Sequence, residues 1–151
     1  MTKQATLEEI RAYYAHDQFA TKLLGARIDS FERDPYRSVV SMEVDPQRHT
    51  NAQGFVMGGT FMALCDFALA VCSNTEQEPS CSTNHHMECI NRCKGKQLIA
   101  TCTCCKNGRS LGFYEVILTD ELGTLVGRMT ATCMRTPGVS LACPVPWREA
   151  E

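Results

Sequence analysis

The stretch G-G-T-F-M-A-L-C-D-F-A-L-A-V-C-S, residues 58–73, decides how the rest of the chain must fold. It is apolar apart from Asp66, the only Asp, Glu, Lys or Arg between Arg48 and Glu76. As a helix it would span roughly 24 Å, short of the roughly 30 Å hydrocarbon core of a bilayer, so it is expected inside a protein core. Burying an isolated carboxylate costs several kcal/mol unless it is paired, hydrogen-bonded or protonated, which marks Asp66 as a placed acid. The two opening glycines present backbone N–H groups at a helix start, where negative charge is favoured. An acid two turns beyond such a start points to acid–base or nucleophilic chemistry on a polarised carbonyl.

Upstream, Thr6 and Glu9 form a capping box for a helix expected to run to about Asp17, with Leu7, Ile10 and Tyr14 on one face. Past Gly25 the pattern alternates with period two on both sides of Asp34-Pro35, which predicts a hairpin. Asp45-Pro46 ends it, and a polar loop with His49, Asn51 and Gly54 leads into the apolar helix. His49 reads as a surface histidine. Downstream, residues 81–93 and 97–105 read as strands flanking a turn at Lys94-Gly95-Lys96. Asn107-Gly108 is a hairpin signal between the latter strand and residues 110–119. Residues 124–135 form the last strand. The expected order is helix, two strands, one long helix, then four strands in a meander. A curved antiparallel sheet wrapped around the central helix would cover it on nearly all sides, an α+β architecture. Residues 1–24 are the N-terminal helix and lead-in, 25–137 the main domain, and 138–151 an irregular tail.

A chain of 151 residues fits one domain with a real core. Hydrophobic content of 44% and charged content of 21% are those of a globular protein, and the net charge of −2 offers no footprint for nucleic acid. No basic segment precedes an apolar one at the amino end, so a secretory signal is not expected. The ten cysteines then read as free, mostly buried thiols in a reducing, cytoplasmic setting. His85, Cys89 and Cys93 share a strand face, but four-residue steps along a strand spread side chains by about 13 Å, so no metal site is expected.

Residues 51–66, N-A-Q-G-F-V-M-G-G-T-F-M-A-L-C-D, resemble the hotdog-fold acyl-CoA thioesterases of the phenylacetate-degradation (PaaI) type. That family's pattern is Asn-x-x-Gly-x-x-His-Gly-Gly, followed by an acid eight positions after the first paired glycine. The resemblance extends over about residues 24–137. It implies a hotdog fold that hydrolyses an acyl-CoA to free acid and CoA. Asp66 would be general base or nucleophile, and the Gly58 amide would hold the oxyanion, aided by the helix dipole. Asn51 would orient the thioester or water across a subunit interface. A hydroxyl of Ser82 or Thr83 would assist the acid. Arg109 and Ser110, in Asn107-Gly108-Arg109-Ser110, would lie along CoA, whose phosphates Arg92, Lys94, Lys96 and Lys106 could also meet. Met57, Gly59, Phe61 and Met62 would shape the acyl pocket. The family implies a homo-oligomer, a dimer or a tetrameric dimer of dimers, with no cofactor beyond the CoA of its substrate, no nucleic acid and no membrane.

One position departs from the pattern: Met57 stands where the family has His, and a thioether cannot donate a hydrogen bond. This motivates an alternative, a non-catalytic acyl-CoA-binding or regulatory hotdog protein. The thiols motivate a third, a redox- or metal-responsive protein. Read without the family, Asn51 is a turn residue, the glycines allow close helix–sheet approach, and the basic residues are solvated turns.

Overall fold

The computed structural model describes residues 4–137; the tail expected at 138–151 lies outside them. The elements are α1 (Leu7–Tyr14), β1 (Arg27–Arg33), β2 (Tyr36–Glu43), α2 (Pro46–His49), α3 (Gly58–Asn74), β3 (Ser80–Cys89), β4 (Gln97–Asn107), β5 (Leu111–Asp120) and β6 (Leu125–Arg135).

The capping box forms as expected, with Thr6 Oγ1 accepting from the Glu9 amide (3.2 Å) and Glu9 accepting from the Thr6 amide (2.8 Å). The helix ends earlier than expected, at Tyr14. Asp17 does not close it but starts a wide turn of π-helix, Gln18–Leu23, accepting from the Ala20 amide at 2.8 Å. Gly25, at φ +76, then turns the chain into β1 with a backbone conformation few other residues adopt. Ile10, Tyr14, Ala20 and Leu24 are buried with the main core, and the Tyr14 hydroxyl donates to the Ala70 carbonyl of α3 at 3.1 Å.

Six antiparallel strands form one curved sheet in the order β1-β2-β4-β5-β6-β3. This corrects the expected four-strand meander. Only β4, β5 and β6 follow one another in space, while β3 pairs with β6 at the edge and β4 pairs with β2. β3 also stops at Cys89, so Cys93 is not on the strand. The turn at Lys94-Gly95 is therefore a crossing connection, whose amides need acceptors off the ladder. Asp120 accepts from the Lys94 and Gly95 amides (2.9 and 3.1 Å), and Glu121 from those of Lys96 and Gln97 (2.7 and 2.9 Å).

Alternating residues of β2, β4, β5 and β6, among them Val40, Leu98, Val116 and Met129, pack against Leu64, Cys65, Ala68, Val71 and Cys72 of α3. Period two on the strands and 3.6 on the helix put these sets face to face. The cover is one-sided, however. Gly58, Gly59 and Asp66 are exposed, and Met62, Ala63 and Ala70 only partly buried, so an open stripe runs down α3. No described helix is long and apolar enough to cross a membrane.

Candidate active site

The site begins in the loop before α3. Asn51 Oδ1 accepts from the Gln53 and Phe55 amides (2.9 and 3.2 Å), and Gly54 at φ +78 closes the turn. The Arg92 guanidinium caps the Phe55 ring at 3.8 Å, a cation–π contact that ties this loop to the end of β3. His49, expected on the surface, is 4% exposed. Its Nδ1 accepts from the Asp45 amide (2.8 Å), while its carbonyl accepts from Met57 N (2.9 Å) and Thr60 Oγ1 (3.3 Å). Burial lowers the His49 pKa, helped by the charge of Arg48 and opposed by Asp45, so the neutral ring serves as this acceptor.

Met57 is the N-cap of α3 and makes no side-chain bond to the helix start. Serine, threonine, aspartate or asparagine would occupy the first amides; a thioether leaves the Gly58 and Gly59 N–H groups facing outward. The Met57 methyl lies 2.6 Å from where a Cβ would stand on Gly59, so the glycine makes room for it. Phe19, Leu23, Leu24, Met57, Gly59 and Ala63 wall a cavity of about 420 Å³ beside this helix start. Phe61 is not in it; that ring is buried in the core at 4% exposure. Met62 lies on the open stripe.

Asp66 is not the buried, isolated carboxylate read from its neighbours. Its side chain is 53% exposed, and Oδ1 lies 3.1 Å from His85 Nε2. The ring nitrogen is buried and has no aligned hydrogen-bond partner, so the contact is a close approach that becomes an ion pair when the ring carries a proton. Partial burial pushes the Asp66 carboxyl above the ordinary range; His85 opposes this, and Asp17 adds to it. Next to it, the Cys65 thiol is fully buried and pushed up to about 12 by desolvation, which keeps it neutral and unreactive.

His85 is the residue that sequence reasoning missed in this role. The expected hydroxyl partners are close by on β3: Ser82 is exposed, and Thr83 sits at a bulge and donates to the Thr132 carbonyl at 3.2 Å. The bulge breaks the two-residue alternation: Ser82 opposes Cys133 and His85 opposes Ala131, two residues that share a face of β6, so the face expected to carry a hydroxyl also carries His85. Arg109 and Ser110 lie at the far end of α3, about 25 Å from Gly58. There a cleft of about 300 Å³ is lined by Gln77, Asn107, Arg109 and Arg135. Arg135 is buried and donates to the Ser73 and Glu78 carbonyls (2.9 and 3.0 Å), Gln77 Oε1 (3.2 Å), Asn107 Oδ1 and the Tyr114 hydroxyl (3.2 Å). One chain therefore joins Met57, Gly58 and Gly59 at one end of α3, Asp66 with His85 in the middle, and Arg109 with Ser110 at the other end. No cluster of His, Cys, Asp and Glu among the described residues could hold a metal ion, and the nine described cysteines are free thiols.

The architecture is matched by solved structures. The phenylacetic acid degradation protein PaaI of Thermus thermophilus superposes with a TM-score of 0.70 at 27% identity, covering 77% of this chain and 97% of that one. This chain has the hotdog fold and a PaaI-like build. A thioesterase of Haemophilus influenzae matches with a TM-score of 0.80 at 18% identity, covering 93% of this chain and 97% of that one. A Streptococcus mutans protein, solved bound to acetyl CoA, matches with a TM-score of 0.68 at 24% identity, covering 74% and 89%. The last two identities carry the fold alone. No family model matches the sequence, and no curated protein does.

Proposed function

We propose that this hotdog protein is a thioester hydrolase acting on an acyl-CoA, with Asp66 as the general base. The observation that carries this reading is the pairing of an underserved acid with unclaimed amides on one open helix face. Asp66 has a raised pKa and no aligned donor, while the Gly58 and Gly59 amides have no cap. The first can take a proton from water, and the second can receive a developing oxyanion; losing one such donor typically costs about 3 kcal/mol of barrier. The PaaI-like build supports a CoA thioester as substrate, and one neighbour of the same fold was solved bound to acetyl CoA.

Gly58 and Asp66 of one chain are about 12 Å apart along the axis of α3. We therefore assign the acid and the oxyanion donors of one site to two copies of the chain. Among the described residues no strand lies on the outer edge of β3, which suits pairing with a second copy. The cavity beside Met57 and Gly59, walled mostly by apolar side chains with Arg48, His49, Thr50 and Thr60 at its border, would take the acyl group. Arg109 and Ser110, at the far end of α3, would have to meet CoA from another copy.

The test is a panel of acyl-CoA esters with a free-thiol reporter, run on the wild type and on Asp66→Asn. The expected result is thiol release by the wild type and a loss of about 10²–10⁴-fold in kcat/KM in a folded variant. Met57, in place of an imidazole, favours a second reading, an acyl-CoA-binding protein without turnover. Saturable binding of CoA esters with no thiol release would establish that reading and end the first.

A further inference from the structure

The position that would carry an imidazole by resemblance holds Met57, yet an imidazole reaches the acid from elsewhere. His85 stands on β3 opposite Ala131 of β6. Directly opposed residues of an antiparallel pair share a face, and Ala131 is buried at 4% exposure, so this face of β3 looks onto α3. The small alanine leaves room for the ring to lie over the helix. Its Nε2 comes within 3.1 Å of Asp66 Oδ1, and the side chain as a whole keeps 26% exposure, so Nε2 is closed off while the rest of the ring remains open.

Resting on the hydrolase reading above, we propose that Asp66 and His85 work as one acid–base unit, His85 supplying the proton that the departing thiolate needs. The proposed cycle starts from the carboxylate ionised and a proton on each ring nitrogen. Asp66 takes one proton from water as the hydroxide oxygen bonds to the thioester carbon and the carbonyl becomes an oxyanion. When the intermediate collapses, the C–S bond breaks and its electron pair leaves on sulfur. The open side of His85 gives its proton to that thiolate. Nε2 keeps its proton beside Asp66, and the proton held on Asp66 returns through solvent water to the open ring nitrogen, restoring the starting state. The products are one carboxylic acid and one thiol, with one water consumed, and no further reactant is needed.

The surroundings of Asp66 suit this role. The groups whose charge bears on it are His85 from β3 and Asp17 from the turn before β1. It in turn bears on Cys65 of its own helix and Cys133 of β6, thiols pushed up to about 12 and about 11 by burial and so neutral. Asp17 and desolvation both favour the protonated acid, and His85 supplies the opposing positive charge. Without that charge a smaller share of Asp66 would be ionised, and so able to take a proton, at a given pH.

The experiment is the pH dependence of kcat and kcat/KM for thiol release by wild type, His85→Gln and Asp66→Asn. The wild type should give a bell-shaped profile, its acid limb reporting the pair's carboxylate and its alkaline limb the imidazolium. His85→Gln should lower kcat by about 10²-fold, lose the alkaline limb and move the acid limb to higher pH. Added imidazole should partly restore His85→Ala, a readout that a purely structural role would not move and that serves equally if the glutamine variant fails to fold. An inactive Asp66→Asn beside His85→Gln with wild-type kcat and unchanged limbs would overturn the acid–base unit and leave the hydrolase standing. Absence of thiol release by the wild type across the panel would overturn both.

Discussion

Two aspartates of this chain have opposite surroundings. Asp120 is 2% exposed, and its carboxylate accepts four backbone N–H bonds, from Lys94, Gly95, Leu122 and Thr124, at 2.8–3.1 Å. Burial pushes its carboxyl up, but the donors at Lys94, Thr124 and Gly95 outweigh that and hold it at about 2. Asp66 is half-exposed, has one unaligned imidazole beside it, and has its carboxyl raised. Exposure alone would rank them wrongly as to reactivity. A carboxylate fully served by fixed donors has no reason to take a proton; one served poorly is poised to do so. Asp120 ties the crossing connection between β3 and β4 to the β5–β6 turn, and Asp66 is left free for the chemistry proposed above.

Replacing each acid by its amide should separate the two roles. Asp66→Asn should lose about 10²–10⁴-fold in kcat/KM, while urea unfolding near neutral pH shows equal or slightly greater stability, since a raised pKa means the fold disfavours the ionised form. Asp120→Asn should cost about 3 kcal/mol of unfolding free energy, because one amide cannot accept at both ends and its NH₂ would confront N–H donors. Thiol release per folded molecule should be unchanged. An Asp120 variant that is stable but inactive would invert the assignment.

The contrast also shows what could be read from the sequence. The loop from Asn51, the opening of α3 and most strand positions were legible because each is encoded by neighbouring residues: an Asx turn, a Gly-Gly start, alternation with period two. The sheet order was not. A turn at Lys94-Gly95 looks the same whether the next strand returns alongside or crosses over, and its acceptors, Asp120 and Glu121, are some 25 residues on. Asp66 looked buried because its neighbours are apolar, but apolar neighbours on α3 also line an open stripe. His85 was hidden because the linker after α3 blurs which residue of β3 falls over the acid. His49 reads as exposed in a polar loop, and it is held inward by backbone partners at Asp45 and Met57.

Acid titration sharpens the comparison with a smaller effect. A folded pKa of about 2 for Asp120, against roughly 3.9 unfolded, gives stability that is present above about pH 4 and lost as pH falls towards 2. The loss should be about 2 kcal/mol, short of the full shift because the donors sit in a turn near solvent. Asp66 acts in the opposite sense: protonating it relieves the fold. Urea midpoints measured between about pH 5 and pH 2 should therefore fall in the wild type and in Asp66→Asn alike, and flatten in Asp120→Asn. An acid limb that survives in Asp120→Asn would move the acid sensitivity to another carboxylate.

Asn51 is the residue in which a structural and a chemical reading coincide, and its two side-chain atoms separate them. Oδ1 is spent on the turn, accepting from Gln53 and Phe55. That fixes the amide plane, and no bond to Nδ2 occurs among the described residues, so the NH₂ is the donor that the proposed site would use towards a substrate or water at a partner's Asp66. Asn51→Asp keeps the acceptor, strengthens it through charge, and removes the donor. Thermal unfolding should therefore be unchanged or slightly later, while kcat/KM falls about fivefold, the scale of one lost neutral hydrogen bond. Asn51→Ala should show the same kinetic loss together with about 1 kcal/mol of lost stability, because the turn loses its acceptor as well. Full activity in Asn51→Asp would reduce Asn51 to a turn residue and leave the open amides of Gly58 and Gly59 to orient the thioester unaided.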